Sequence, residues 1–349
     1  METRKIQQVG GGTYTVSLPK EWATAADIEP GATVALHSHI DGSLVVQTGV
    51  DCEAEPLTLS VDETDTAAIE RTLQAAYAAG IDTVELDAPD GITDETHRLV
   101  ERLTRELTGV AVTESTDRTI RVRSLLDVEE VSITQSVRQL QFAALSTHRS
   151  ATAALTSPAA DGRGGPAESD GQTARTAAMV DHYFQRGLDS LAVMDALGLI
   201  RPALFVRWVT ARELDRIADH ARGIAATVDR LDEPVDAALA ADIDDLADRS
   251  RTLVRQSVGV VLDDPVGGPD DETTAVCGLL DDCDALAADV DALDRRLFEA
   301  DDADYRLTHV LDGVRRTAES AGTIAEVGLR SALRSQWAST PRVGQAPQL

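Results

Sequence analysis

Two sets of side chains in this 349-residue chain have the types and spacing to do chemistry. The first is acidic. Asp215 and Asp219 lie four apart in Ala211-Arg212-Glu213-Leu214-Asp215-Arg216-Ile217-Ala218-Asp219-His220-Ala221-Arg222, so on a helix both project from one face. Carboxylates clustered in this way attract hard, oxygen-seeking cations or iron. Leu214, Ile217, Ala218 and Ala221 frame the pair, although with 60 acidic residues such a pair is commonplace on a solvated face. The second set is basic. Lys5 and Lys20 are the only lysines, and with Arg4 they face a single acid, Glu2, in the first twenty residues. Gln7, Gln8, Thr13 and Tyr14 lie between them. Arg and Lys neutralise phosphates, while Gln, Thr and Tyr hydrogen-bond bases or backbone. His37 and His39 alternate on one strand face and could hold a metal, but plain surface is the simpler reading, and His220 reads as a helix-face hydrogen-bonder. No G-x-S-x-G, Walker, H-E-x-x-H or zinc-spaced Cys/His pattern occurs, so an enzyme is not expected.

These residues need elements to position them. Residues 4–9 read as a strand, followed by Gly10-Gly11-Gly12 and a second strand over 13–18, rich in β-formers. Pro19 suits the first turn of a short helix through Lys20-Glu21-Trp22. Strands at 33–39 and 43–48 flank Asp41-Gly42, a hairpin signal. So few residues cannot bury a core alone, so the module should dimerise and share its sheet. Residues 51–126 read as a small α/β domain: strands at 57–61, 83–87, 110–113 and 119–123, and helices at 64–79 and 93–107. Gly80 and Gly109 cap those helices, and no Gly-rich phosphate loop is visible. The simplest role for this domain is a spacer or dimerisation element, with ligand sensing as the alternative. From residue 127 the pattern is helical, with six segments at 128–155, 173–198, 202–231, 235–262, 272–299 and 303–335. Two groups of three, 127–232 and 233–335, suggest an internal duplication. The break at 157–171 is Gly/Pro/Asp-rich and reads as a mobile loop. Residues 336–349 read as a disordered tail.

Composition narrows the class. The net charge is -28, with 39 Asp against 21 Glu and only two Lys beside thirty Arg. An Asp-rich, Lys-poor surface suits a halophile's cytoplasm of molar salt, where the Debye length falls to about 3 Å and self-repulsion is screened. Aromatics are 3% of the chain, so cores must rest on small aliphatic side chains that suit closely packed helices. Cys52, Cys277 and Cys283 form no disulfide framework and fit a reducing interior. No signal-peptide region and no run of about 18 apolar residues is present, so a cytoplasmic protein without membrane insertion is expected.

Residues 3–48, with Arg4-Lys5-Ile6-Gln7-Gln8-Val9-Gly10-Gly11, then Leu18-Pro19-Lys20-Glu21-Trp22 and Asp41-Gly42-Ser43-Leu44, resemble the AbrB/SpoVT/MazE-type swapped-hairpin family. That resemblance implies two chains interleaved in one DNA-binding barrel. It carries over Arg4, Lys5 and Lys20 as DNA contacts, with Gln7, Gln8, Thr13 and Tyr14 nearby. Three basic residues per chain is fewer than family members often carry. Residues 127–335, with the segment 211–225, resemble PhoU proteins, which fold as two three-helix bundles and repress phosphate uptake through a phosphate ABC transporter and a sensor kinase. That family places metal clusters at acidic i, i+4 pairs, which implies a divalent metal or iron at the Asp215/Asp219 face. Asp181, in Val180-Asp181-His182-Tyr183-Phe184, resembles a family segment that approaches this site. Aligning Arg315-Arg316-Thr317-Ala318-Glu319 beneath the motif sets Glu319 under Asp219 but Arg315 under Asp215, so a second metal site lacks one carboxylate.

The fold class expected is therefore multidomain: an all-β swapped-hairpin module at 1–50, an α/β domain at 51–126 and a PhoU-like all-α pair of bundles at 127–335. Together the resemblances imply a homodimeric, DNA-binding regulator of phosphate homeostasis whose bundles contact a transporter ATPase or sensor kinase. Two alternatives stay open: an adaptor that regulates the transporter without DNA, and an antitoxin-like protein.

Overall fold

A computed structural model describes residues 3–10, 12–39, 42–48, 55–61, 66–156, 167–231, 233–263, 269–299 and 304–339. The chain forms two compact units, Met1–Glu55 and Pro56–Leu349.

The first unit is two hairpins and a short helix. β1 (Gln7–Val9) pairs antiparallel with β2 (Thr13–Thr15), and β3 (Ala35–Ser38) with β4 (Leu44–Gln47). The helix α1 (Lys20–Ala25) lies between the hairpins in sequence, entered from Pro19. Gly10 (φ +67°) and Gly42 (φ +84°) adopt the left-handed conformation that their turns require. Among the described residues of this unit no apolar side chain is buried, whereas Ile6, Val9, Tyr14, Val16, Leu18, Trp22, Leu36 and Leu44 are exposed.

The second unit begins with a four-stranded sheet. β5 (Leu57–Ser60), β6 (Thr83–Asp87), β7 (Val110–Ser115) and β8 (Thr119–Ser124) lie in the order β5-β6-β8-β7. β5 runs parallel to β6, and the other pairs are antiparallel. The parallel pair needs a crossover, supplied by α2 (Thr66–Ala78). α3 (Asp94–Glu106) follows β6, capped by Thr93, whose side chain accepts from Thr96 N–H. Leu73, Leu86, Leu99, Leu103 and Ile120 build the core between these helices and one sheet face. The other face is polar: Arg121 bridges Glu85 (2.5 Å) and Glu114 (2.8 Å).

The rest is helical: α4 (Ile133–Ala153), α5 (Ala167–Asp189), α6 (Leu191–Ala196), α7 (Arg201–Val228), α8 (Ala237–Leu262), α9 (Pro269–Glu299) and α10 (Arg306–Ser339). α4, α5 and α7 pack as one three-helix group, and α8, α9 and α10 as another; α7 against α10 and α4 against α8 join them. On α9 the buried positions Val276, Leu279, Cys283, Leu286, Val290, Leu293 and Leu297 alternate steps of three and four, the spacing of a helix seam. One continuous apolar core runs through both groups.

Four boundaries differ from the sequence reading. The segment 128–155 opens with a separate 3-10 turn, Val128–Glu130, before α4 starts behind the Ser132 cap. The segment 173–198 is two helices, because Ser190 leaves the helix and caps α6 through Val193 N–H. Residues 167–171, expected in a loop, are the first turns of α5, and α10 extends to Ser339, four residues into the expected tail. The remaining expected loop residues 157–166, residues 265–268 of the break expected at 265–269 (Pro269 opens α9), the break near 301–302 and the tail 340–349 lie outside the described residues, as does Cys52. Among the described residues no helix is long and apolar enough to cross a membrane.

Candidate nucleic-acid interface

The β1/β2 hairpin sets the register of the polar N-terminal residues. Gln8 stands opposite Tyr14, Gln7 opposite Thr15 and Val9 opposite Thr13. Side chains alternate across a strand, so Gln8 and Tyr14 share one face while Gln7, Thr13 and Thr15 share the other. The Thr15 hydroxyl donates to the Gln7 carbonyl at 3.4 Å and ties the pair together. Arg4 and Lys5 occupy the extended segment just before β1, and Lys20 opens α1; all three are exposed. The structure therefore splits the expected contact residues between two hairpin faces, with the cations at the hairpin's root and at the helix start. His37 pairs with Val45 inside a strand, and His39 is buried at 3% exposure, with its backbone N–H given to Ser43.

The acidic set is arranged differently. Asp181 accepts from Trp208 Nε1 (2.7 Å) and from Arg212 (3.0 Å), so it stitches α5 to α7. Asp219 pairs with Arg222, one turn along α7. Asp215 sits between them; burial and the neighbouring Asp219 raise its carboxyl above the usual range, and its Oδ1 has no hydrogen-bond partner among the described residues. Glu319 is held by Arg315 on its own helix at 2.6 Å. Of the four carboxylates, Asp181, Asp219 and Glu319 each pair with an arginine, and Asp215 forms no ion pair among the described residues. Among the described residues no group of three or more His, Cys, Asp or Glu is arranged to hold an ion.

Two buried polar joints carry no sequence motif. At the first, His182 of α5 lies fully buried against the α/β domain. Its ring stacks on Tyr77 (4.5 Å between centroids), and Nδ1 donates to the Tyr77 carbonyl at 2.8 Å. Its Nε2 lies 3.4 Å from Asp82, which also pairs with Arg186 at 3.2 Å. Burial alone would raise the Asp82 carboxyl, but His182 and Arg186 outweigh it and hold the carboxyl below its ordinary value. At the second joint, Arg251 of α8 is 1% exposed and contacts His148 and Thr152 of α4 and Asp248 of its own helix. The sequence carried a signal for it: Arg251 falls in the buried stripe of Ile243, Ala247, Val254 and Val258, where an aliphatic residue is the norm.

Residues 7–50 match the family described as "Antidote-toxin recognition MazE, bacterial antitoxin". The first unit thus holds a MazE/AbrB-like domain over residues 7–50, followed by a sheet domain and a largely helical region. No curated protein and no solved structure matches the chain.

Proposed function

We propose that the protein is a homodimeric, DNA-binding transcriptional regulator whose helical bundles report phosphate sufficiency. The observation that carries this reading is the construction of the N-terminal unit. It gathers both lysines of the chain with Arg4 on a hairpin-and-helix module in which no described apolar residue is buried in one chain and eight large ones are exposed. A second copy supplies the missing cover, doubles the cations and imposes a two-fold symmetric DNA site. The phosphate limb rests on the PhoU resemblance and on the paired three-helix groups that accompany it. The bundles would then engage a transporter ATPase or a sensor kinase.

The test is fluorescence anisotropy on a promoter fragment of a phosphate-transport gene and on an unrelated fragment, with and without inorganic phosphate. Wild type binds the promoter more tightly, phosphate changes that affinity, and Arg4→Ala or Lys20→Ala weakens binding to both fragments. Equal behaviour of wild type and both variants sinks the DNA limb; indifference to phosphate sinks the other.

The match to an antidote domain favours a second reading, in which the chain neutralises a toxin. The long described helices argue against a short unfolded inhibitory tail as its means. A stoichiometric complex with a toxin encoded beside the gene, without DNA binding, would favour it.

A further inference from the structure

The central sheet has one guarded edge and one open edge. At the guarded edge, β7 carries a register shift between Val112 and Glu114 and a charged side chain, two devices that discourage strand addition. At the open edge, β5 among the described residues pairs in unbroken register with β6 alone and contains Leu57-Thr58-Leu59-Ser60, with no charge and no proline. Val61 donates its N–H to Asp87 of the β6 side at 2.9 Å. By the two-residue period of a strand, residues 57 and 59 also turn their backbone groups toward β6, and Thr58 and Ser60 turn theirs outward. The edge therefore presents two N–H donors and two C=O acceptors in alternation. Beside it runs a groove lined by Leu59, Val61, Ala68, Ile69 and Thr72.

The geometry points to β5 as a self-pairing edge: in the dimer, β5 of one protomer pairs antiparallel with β5 of its partner, joining two four-stranded sheets into one of eight. A two-fold axis at Leu59 sets Thr58 opposite Ser60 of the partner subunit and makes four backbone hydrogen bonds. It also brings Leu59 against the partner's Leu59 over the two apolar grooves. The occupant is a second copy for two reasons. The pattern of donors and acceptors is self-complementary about a two-fold axis, as an isologous contact requires. And β5 starts ten positions after Gln47, the last residue of β4. Ten residues reach at most about 35 Å, so a dimer formed by the N-terminal module holds two β5 edges at high effective concentration. The inference rests on that dimer.

The experiment uses the full chain with Cys52→Ser and Cys277→Ser. Leu59→Cys is compared with Thr113→Cys on the guarded edge by oxidative cross-linking, with molar mass from light scattering. Directly opposed residues of such a pair have Cα atoms about 4.5 Å apart, within disulfide range. The expected result is a dimer mass for both, with Leu59→Cys cross-linking at least tenfold faster. Adding Thr58→Pro removes an outward N–H without touching the β6 ladder, and should slow the cross-link tenfold while the mass stays dimeric. A dimer in which Leu59→Cys is no faster than Thr113→Cys overturns the β5 pairing alone. A monomer overturns both the pairing and the dimer reading beneath it.

Discussion

Arg251 Nη1 lies 3.1 Å from His148 Nδ1 and 3.0 Å from Thr152 Oγ1, across the contact between α8 and α4. A guanidinium only donates, so His148 Nδ1 accepts and its proton sits on Nε2. Asp248 closes the other side of the guanidinium, and Asp244 lies 3.6 Å away. A cation buried to this degree is tolerated because every side of it meets an acceptor. The two three-helix groups are thus joined by a polar bond as well as by apolar packing.

Replacing Arg251 with Met should expose how much that bond contributes. The change leaves His148 Nδ1 and Thr152 facing an apolar chain. Because Asp248 and Asp244 stay solvated, the cost is that of buried polar groups left without their donor, about 1–3 kcal/mol. Urea unfolding should show a loss of that order; a loss below about 1 kcal/mol would mean that the groups reorganise freely.

His148 makes stability depend on pH. Burial, and then the Arg251 charge, lower its pKa from 6.5 to about 3. In the unfolded chain the ring takes a proton near pH 6.5, whereas in the folded chain it resists until about pH 3. Between those values the unfolded state holds more protons, so stability falls as pH drops, at up to about 1.4 kcal/mol per pH unit. His148→Gln keeps an acceptor for Arg251 and cannot titrate. Its unfolding midpoints between pH 7 and pH 4.5 should fall less steeply than those of wild type, with carboxylates and His220 supplying the remaining slope. Parallel profiles would refute the assignment.

Gly109 and Gly198 separate backbone strain from steric clash. Both have positive φ, +72° and +64°. A Cβ at Gly109 would lie 2.3 Å from Leu126 Cγ, while one at Gly198 meets nothing within 4 Å. Gly198→Ala should cost roughly 1 kcal/mol from φ alone, and Gly109→Ala about 2–3 kcal/mol. Thermal melts that rank them the other way would contradict the close fit of the α/β domain on its linker to the bundles.

Much of the architecture was legible because local patterns decided it. The strand at 83–87 has an alternating pattern with Val84 and Leu86 inward, and the helices of the bundles carry apolar residues every three or four positions. What was not legible turned on a local choice between two continuations or on partners distant in sequence. Ser190 ends α5 as a cap, a choice made between two equally helical flanks. The joints of Arg251 and His182 could not be read from spacing, because their partners lie 103 and 105 residues away. The Asp215/Asp219 spacing was read correctly as one helix face, but spacing does not reveal that Arg222 takes Asp219 and that Arg212 and Trp208 take Asp181. The cationic N-terminus was visible from composition alone, since both lysines stand there.

The salt dependence of DNA binding decides whether the N-terminal module grips a polyanion. A dimer offers six cations from Arg4, Lys5 and Lys20, two copies of each. Full phosphate contact by all six gives a slope of log K against log salt of about -5, and Lys20→Ala should reduce it by about 2. A steep wild-type slope that Lys20→Ala flattens is the predicted result; a flat wild-type slope, or one unchanged by the substitution, would show that this module does not grip DNA.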